Sequence, residues 1–151
     1  MSDQYIPVEK LKVTEKFEEL SDWIWDEVHK WPRLAQNTLG EQLLNAADSV
    51  GANLVEGGNR EGDPDALRFF VFARGSAAEA AYWLRRAIKR KVVDEREGTR
   101  VLAEWESAQA MLAKLISYRR STKWKVRETS EPYGASPVTK SRTDQRIKKG
   151  K

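Results

Sequence analysis

Apolar residues recur at helical spacing through most of this chain, and no stretch alternates with the period of a strand. The longest patterned run goes from Asp63 to Lys91. Asp63-Pro64 opens it as a helix cap followed by a proline in the first turn. No proline or turn cluster interrupts it before Lys91-Val92-Val93-Asp94. One helix of about 26 residues, roughly 40 Å long, fits the run. Leu67, Phe70, Ala77, Ala81, Leu84 and Ile88 mark one face, and Phe69, Phe72, Ala73, Ala80 and Trp83 a second. A helix on the outside of a small bundle needs to bury only one face. Two apolar faces therefore predict contact with both its own bundle and another subunit.

Three further helices flank it. Met1 to Val13 lacks periodicity and is expected as a loosely docked leader. Phe17-Glu18-Glu19-Leu20 leads into a helix ending at Trp31-Pro32. Leu20, Trp23, Ile24, Glu27 and Trp31 recur there at three and four, with Val28 filling the apolar side. Pro32 to Asn37 reads as a connection. Thr38-Leu39-Gly40-Glu41 fits a capping box and opens a helix carrying Leu43, Ala47, Val50 and Leu54. Gly57-Gly58 is a natural stop, and the short connection to Gly62 predicts that this helix and the long one are antiparallel. Asp94-x-x-Glu97 repeats the cap logic for a last helix with Val101, Trp105, Ala108, Leu112 and Leu115 in its stripe, ending near Tyr118. Beyond Ser121 the chain is polar and punctuated by Pro132, Gly134 and Pro137, a composition expected to be disordered unless bound. The pattern predicts an all-α protein: an up-down-up-down four-helix bundle over 14–120, preceded by a leader at 1–13 and followed by a basic, flexible C-terminal tail at 121–151.

Composition narrows the chemistry. The chain has 151 residues, no cysteine and one histidine, His29. Disulfides and thiolate metal sites are thereby excluded, and histidine-based metal or acid–base sites lack partners. Ferritin-like centres need two Glu-x-x-His pairs, which one histidine cannot supply. Gly57-Gly58 is followed by no Gly-Lys-Ser/Thr, so no phosphate-cradling loop is present. No catalytic residue, metal or cofactor is expected, and His29 reads as a solvated residue near a helix end. With no signal-like run and no stretch of membrane-spanning length, a cytoplasmic protein without a membrane role is expected.

Charge adds a candidate partner. The chain carries net +4 with a pI near 9.3. From Arg119 onward, eleven lysines and arginines face only Glu128, Glu131 and Asp144, so this end holds +8 and the rest −4. A mildly acidic body with a basic arm is a recurring arrangement in nucleic-acid binders, although a merely solubilising tail has the same composition. Arg85, Arg86, Lys89, Arg90 and Lys91 form a second cluster at the end of the long helix, more than the helix dipole requires. In a ring of subunits that cluster repeats on one rim, and the arms are expected to add to it. The candidate set for RNA or DNA is these five with Arg119, Arg120, Lys123, Trp124, Lys125 and Arg127. Trp124, between two lysines, either stacks on a base while they meet phosphates or folds back onto the bundle.

Two stretches resemble a known family. They are Ala46-Ala47-Asp48-Ser49-Val50-Gly51-Ala52-Asn53-Leu54-Val55-Glu56-Gly57 and Arg68-Phe69-Phe70-Val71-Phe72-Ala73-Arg74-Gly75-Ser76-Ala77-Ala78-Glu79. Both are similar to the four-helix-bundle proteins encoded in intervening sequences of bacterial 23S ribosomal RNA genes, over roughly Phe17 to Tyr118. Gly51 and Val55 depart from that family's usual proline and alanine. The resemblance implies a ring-shaped homopentamer. A related branch, the accessory proteins of diversity-generating retroelements, implies nucleic-acid binding and a reverse-transcriptase partner. A structural or protein-interaction oligomer without nucleic acid is the alternative.

The motif's polar residues have a structural reading. Arg74 lies on the Leu67–Phe70–Ala77–Ala81 side of the long helix, where a charge is costly unless paired, so it is expected to pair with Asp48 or a neighbour. Glu56 is expected to meet Arg60 or Arg68, and Asn53 and Ser76 to complete hydrogen bonds inside the bundle. A catalytic pocket of Glu56, Arg74 and Glu79 is set aside, because carboxylates and arginines paired on helices are usually structural. Gly75 costs its helix about 1 kcal/mol against alanine. It is expected to face Gly51 or a neighbouring subunit.

Overall fold

A computed structural model describes residues 11–60 and 63–129, with Asp63 and 122–129 given by backbone alone. The leader up to residue 10, residues 61–62, the Asp63 cap and everything past residue 129 lie outside what it describes. The elements are α1 (Lys12–Val28), α2 (Arg33–Ala35), a π-helical turn (Gln36–Gly40), α3 (Glu41–Gly58), α4 (Asp63–Lys89) and α5 (Glu95–Thr129). Because α2, the π turn and α3 follow one another without a break, the described residues form four helical rods and no strand. α1 packs against α3 and α5, and α4 packs against the same two.

The core is asymmetric. α4 contributes mainly alanine: Ala66, Ala73, Ala77, Ala80, Ala81 and Ala87 are buried, with Phe70 and Leu84. The bulk comes from the other helices, above all from Trp105 of α5, which is 0 % exposed. Its indole N–H donates to the Ala77 carbonyl at 2.9 Å, and its ring meets Phe17 of α1 edge-on at 5.0 Å between centroids. One side chain thus ties three helices, and the short Ala77 side chain leaves that carbonyl within reach. As α5 advances, its contacts move back along α4. Gly98 lies against Ile88, Glu106 bonds Arg85, and Arg119 sits over Phe70. The two helices are therefore antiparallel.

Several expectations change. α1 begins at Lys12, where Val13 and Thr14 are already buried, so part of the expected leader is core helix. Thr38 caps nothing. Pro32 is the last extended residue (φ −56°, ψ 147°), the helix starts at Arg33, and the Thr38 hydroxyl donates to the Leu34 carbonyl at 2.7 Å. What this segment caps is α1: the Gln36 side-chain amide donates to the Val28 and His29 carbonyls at 3.1 and 2.9 Å, satisfying groups that a helix end leaves open. Gly40 is needed there, since a Cβ would lie 2.6 Å from Val28 Cγ1. α5 does not stop near Tyr118 but continues to Thr129. No glycine or proline intervenes between Gly98 and Pro132, and Lys123, Lys125 and Arg127 suit a helix C-terminus. Ile116 is buried where the pattern marked Leu115, which is only half-buried.

The motif's polar residues face outward more than expected. Arg74 is exposed and makes no ion pair among the described residues. It leaves from the edge of the alanine stripe, where a long side chain can carry its charge to water. Glu56 pairs with Arg60, as one of the two options had it. Asn53 bonds its own helix, donating to the Ser49 carbonyl at 2.8 Å rather than across the bundle, and Ser76 is half-buried. Glu79 accepts the Trp83 indole N–H at 3.3 Å. Gly51 and Gly75 do not meet: the nearest atom to a Cβ at Gly51 is Glu18 Cγ at 3.9 Å, and at Gly75 nothing lies within 4 Å. The tightly packed glycine of this hairpin is Gly57, against Phe70 and Phe69 at 2.9 and 3.0 Å. Asp48 faces no cation among the described residues. Its carboxyl is pushed above the ordinary value of 3.8, first by burial and then by the Asp22 charge.

Two outcomes are expected from this arrangement. Trp105→Ala should destabilise the chain by about 3–5 kcal/mol, and Trp105→Phe by less, about 1–3 kcal/mol, leaving the Ala77 carbonyl without its indole donor. Urea unfolding followed by circular dichroism measures both. Asp48→Asn should stabilise the unassembled subunit at neutral pH, measured at protein concentrations too low for self-association. A carboxyl whose folded pKa is raised holds its proton more tightly when folded, so its ionisation opposes folding as pH rises through that raised value. The gain should therefore be full at pH 7 and vanish below 3.8, where aspartate is protonated in both states. Equal unfolding midpoints for the two proteins at all pH values would contradict it.

Candidate nucleic-acid interface

The first basic cluster is shaped by how α4 ends. Lys91 adopts φ 57°, a left-handed conformation that glycine usually supplies at this position. The Val92 N–H bonds the Ala87 carbonyl at 3.1 Å and the Lys91 N–H bonds that of Ile88 at 3.0 Å, the two crossed bonds of a Schellman ending. Asp94 then caps α5, its carboxylate accepting the Glu97 N–H at 3.0 Å, as its spacing implied. The turn between the helices is thus rigid at both ends, and it holds Lys91 at a strain of about 1–2 kcal/mol.

The cluster divides over two faces. Arg85 bonds Glu106 of α5 at 3.2 Å. Arg85, Lys89 and Lys91 line a groove over the α4–α5 turn, where Asp94 and Glu95 oppose them. Arg86, half-buried, and Arg90, exposed, do not line that groove. Arg86, Lys89, Arg90 and Lys91 have no carboxylate partner among the described residues, unlike Lys16, Lys30, Arg60 and Arg100. Arg96, exposed on the first turn of α5, adds a cation at this end that the sequence reading passed over. Its signal was available: it lies two residues past the Asp94 cap.

The second cluster sits elsewhere. Arg119 is half-buried with its guanidinium 5.8 Å from the Phe70 ring centroid, and Arg120 is exposed. Lys123, Trp124, Lys125 and Arg127 ride on the last turns of α5, and their side chains, with both options for Trp124, lie outside the described residues. From the Ile88 level to the Phe70 level is 18 residues of α4, about 27 Å. Within one subunit Arg119 and Arg120 therefore lie far from Lys91, and the expected meeting of arms and rim, which concerns a ring and the chain past residue 129, lies outside the described residues. Antiparallel packing sends α5 away from that rim, and the two basic groups mark opposite ends of the bundle.

Acid collects between α1 and α3. Glu18, Asp22, Asp48 and Glu56 line one groove there, and Trp25, His29 and Glu41 border its continuation past Asp48. The His29 Nδ1–H donates to the Trp25 carbonyl at 2.7 Å, and its ring lies 4.8 Å from the Trp25 ring. Among the described residues no three histidine or carboxylate side chains come together as a metal-holding group, and no helix is long and apolar enough to cross a membrane.

Comparison with known proteins gives a consistent picture. A solved structure of a protein of unknown function from Bacteroides thetaiotaomicron, of the S23 ribosomal protein family, superposes with a TM-score of 0.61 at 20 % identity. The likeness covers 69 % of this chain and 97 % of that one, and it bears on the fold alone. No curated protein matches the chain. Residues 9–114, from before α1 into α5, match the family described as 23S rRNA-intervening sequence protein. That match takes in α1, α3 and α4 whole with both quoted motifs, and this chain belongs to the 23S rRNA-intervening sequence protein family.

Proposed function

We propose that this protein is a cytoplasmic, non-enzymatic homo-oligomer that holds RNA or DNA by its phosphate backbone, through the end of α4 and the basic last turns of α5. The observation that carries this reading is the run Lys89, Arg90 and Lys91, three cations without carboxylate partners among the described residues, ending on a lysine in a conformation that suits glycine. Glycine there would relieve the strain, whereas lysine adds a charge at the apex of a rigid turn. Such strain is most readily understood where the side chain has a task outside the fold. Cations spread over two ends of a bundle can follow a backbone without reading sequence. Self-assembly, as a pentamer in the resemblance above, would multiply these contacts. A reverse-transcriptase partner rests on the retroelement resemblance alone.

A second reading, a protein-interaction oligomer, draws on the exposed aromatics Trp25, Phe72, Tyr82 and Tyr118. Binding of labelled single-stranded RNA, single-stranded DNA and duplex DNA between about 50 and 200 mM salt separates the two. Affinity is expected to fall steeply with salt. The Lys89→Glu/Arg90→Glu protein should lose about 2 units of the log–log slope, at about 0.9 per phosphate. A chain ended at Thr129 and one ended at Ser121 report on the other end. No binding at the lowest salt, or a slope unchanged in the double variant, would overturn the proposal in favour of the second reading. Lys91→Gly should split two properties, raising stability by about 1 kcal/mol through relief of the left-handed strain while weakening nucleic-acid affinity. Unfolding curves and the same binding assay check both.

A further inference from the structure

Two glycines interrupt helices that have no internal need of them. Gly57 and Gly98 are held by tight contacts, but Gly75 has open space around it, and Gly51 meets only the stem of Glu18. Each weakens its helix, and neither permits a close approach within this subunit. Both sit in the middle of an open face.

Around Gly75 the outer side of α4 carries Arg68, Phe72, Gly75, Glu79, Tyr82 and Arg86 at alternating spacings of four and three, the seam pattern by which one helix meets another. Phe72 and Tyr82 are 49 % and 51 % exposed. Arg68 rests on the Phe69 and Phe72 rings at 5.5 and 5.8 Å, and Arg86 has no carboxylate partner among the described residues. This stripe carries Phe72 and Tyr82 along its middle and cations at its ends, and its one acid, Glu79, accepts the Trp83 indole N–H. Around Gly51 the α1–α3 groove is the complement: Gly51 and Ala52 provide small residues, and Glu18, Asp22 and Asp48 stand without cations among the described residues. Burial, and after it the neighbouring Asp22 charge, pushes the Asp48 carboxyl above its ordinary value. Lengths agree as well. Glu41 to Glu56 spans about 22 Å of α3, and Arg68 to Arg86 about 27 Å of α4.

We propose that the outer stripe of α4 docks in the α1–α3 groove of a second copy of this chain, head to tail. This rests on the self-assembly proposed above and names the faces that make it. Pairing of the stripe with itself is disfavoured by its charges. Laid antiparallel in register, it would set Arg68 against Arg86 of the partner subunit at both ends. A contact between unlike faces closes into a ring or extends into a filament, and leaves every copy with one stripe and one groove engaged.

The test uses full-length protein freed of nucleic acid, so that its mass is read independently of nucleic-acid binding. Wild type should sediment as an oligomer at micromolar concentration. Phe72→Glu spoils the stripe and Asp48→Arg spoils the groove. Each alone should sediment as a monomer with unchanged helical circular dichroism. Mixed in equal amounts they should form a one-to-one dimer and nothing larger, because one intact stripe and one intact groove remain. If either substitution unfolds the chain, Tyr82→Glu and Ala52→Arg, both at exposed positions, replace them. Gly75→Ala should keep or increase helicity yet weaken assembly, whereas a glycine serving only the fold would not affect mass. A monomeric wild type, assembly of either variant as in wild type, or a mixture that stays monomeric would overturn the proposal. Failure of nucleic-acid binding with this pattern intact would touch only the earlier reading.

Discussion

The fold depends on one side chain finding room. Trp105 is the largest residue wholly inside the bundle, and it needs both a pocket and a partner for its N–H. Left unpaired at this depth, that N–H would cost about 1–3 kcal/mol. α4 supplies both needs by carrying alanine where the indole meets it, between Phe70 and Leu84. A helix lined with alanine lets the indole reach its backbone, and the Ala77 carbonyl accepts the bond. Phe17 then closes the pocket from α1. Alanine holds most of the inner positions beside Phe70 and Leu84, and Phe72 and Tyr82 lie on the outer side, half in water. This partial inversion, alanine around the indole with Phe72 and Tyr82 outside, gives the long helix its two apolar faces.

That inversion also sets what could be read in the sequence. Four helical rods, the Asp94 cap and the stop at Gly57-Gly58 were legible, because each depends on residues within a few positions of one another. The second apolar face of α4 was legible as well, since periodicity reports how many faces are greasy. The capping box at Thr38 misled because the motif is local while the outcome was set by Pro32 and by Gly40 passing Val28, contacts formed across the α1 end. Arg74 misled for a related reason. Spacing placed it within the stripe, but whether a residue at a stripe's edge is buried depends on how near the next helix comes. The separation of the two basic groups was accessible in principle, because it follows from the antiparallel order of two consecutive helices. It shows only when the charges are placed at the ends of the bundle, because their number along the chain carries no position.

Charge placement links the two proposals. The α1–α3 face carries Glu18, Asp22, Asp48 and Glu56, and a polyanion approaching a lone subunit would meet that field within a Debye length of about 8–10 Å or be turned from it. The cations that would hold it are few at each end, and Arg85 is already engaged by Glu106. A single subunit is therefore a weak electrostatic host. Docking of an α4 stripe into the acidic groove would change this without any conformational step. It would set Arg68 and Arg86 against the carboxylates, hide most of the negative face, and leave Lys89, Arg90 and Lys91 as charge on the outside. On this view the basic surface is a property of the assembly more than of the subunit. The small residues at Gly51 and Gly75, idle within the bundle, are what let the acidic face be covered.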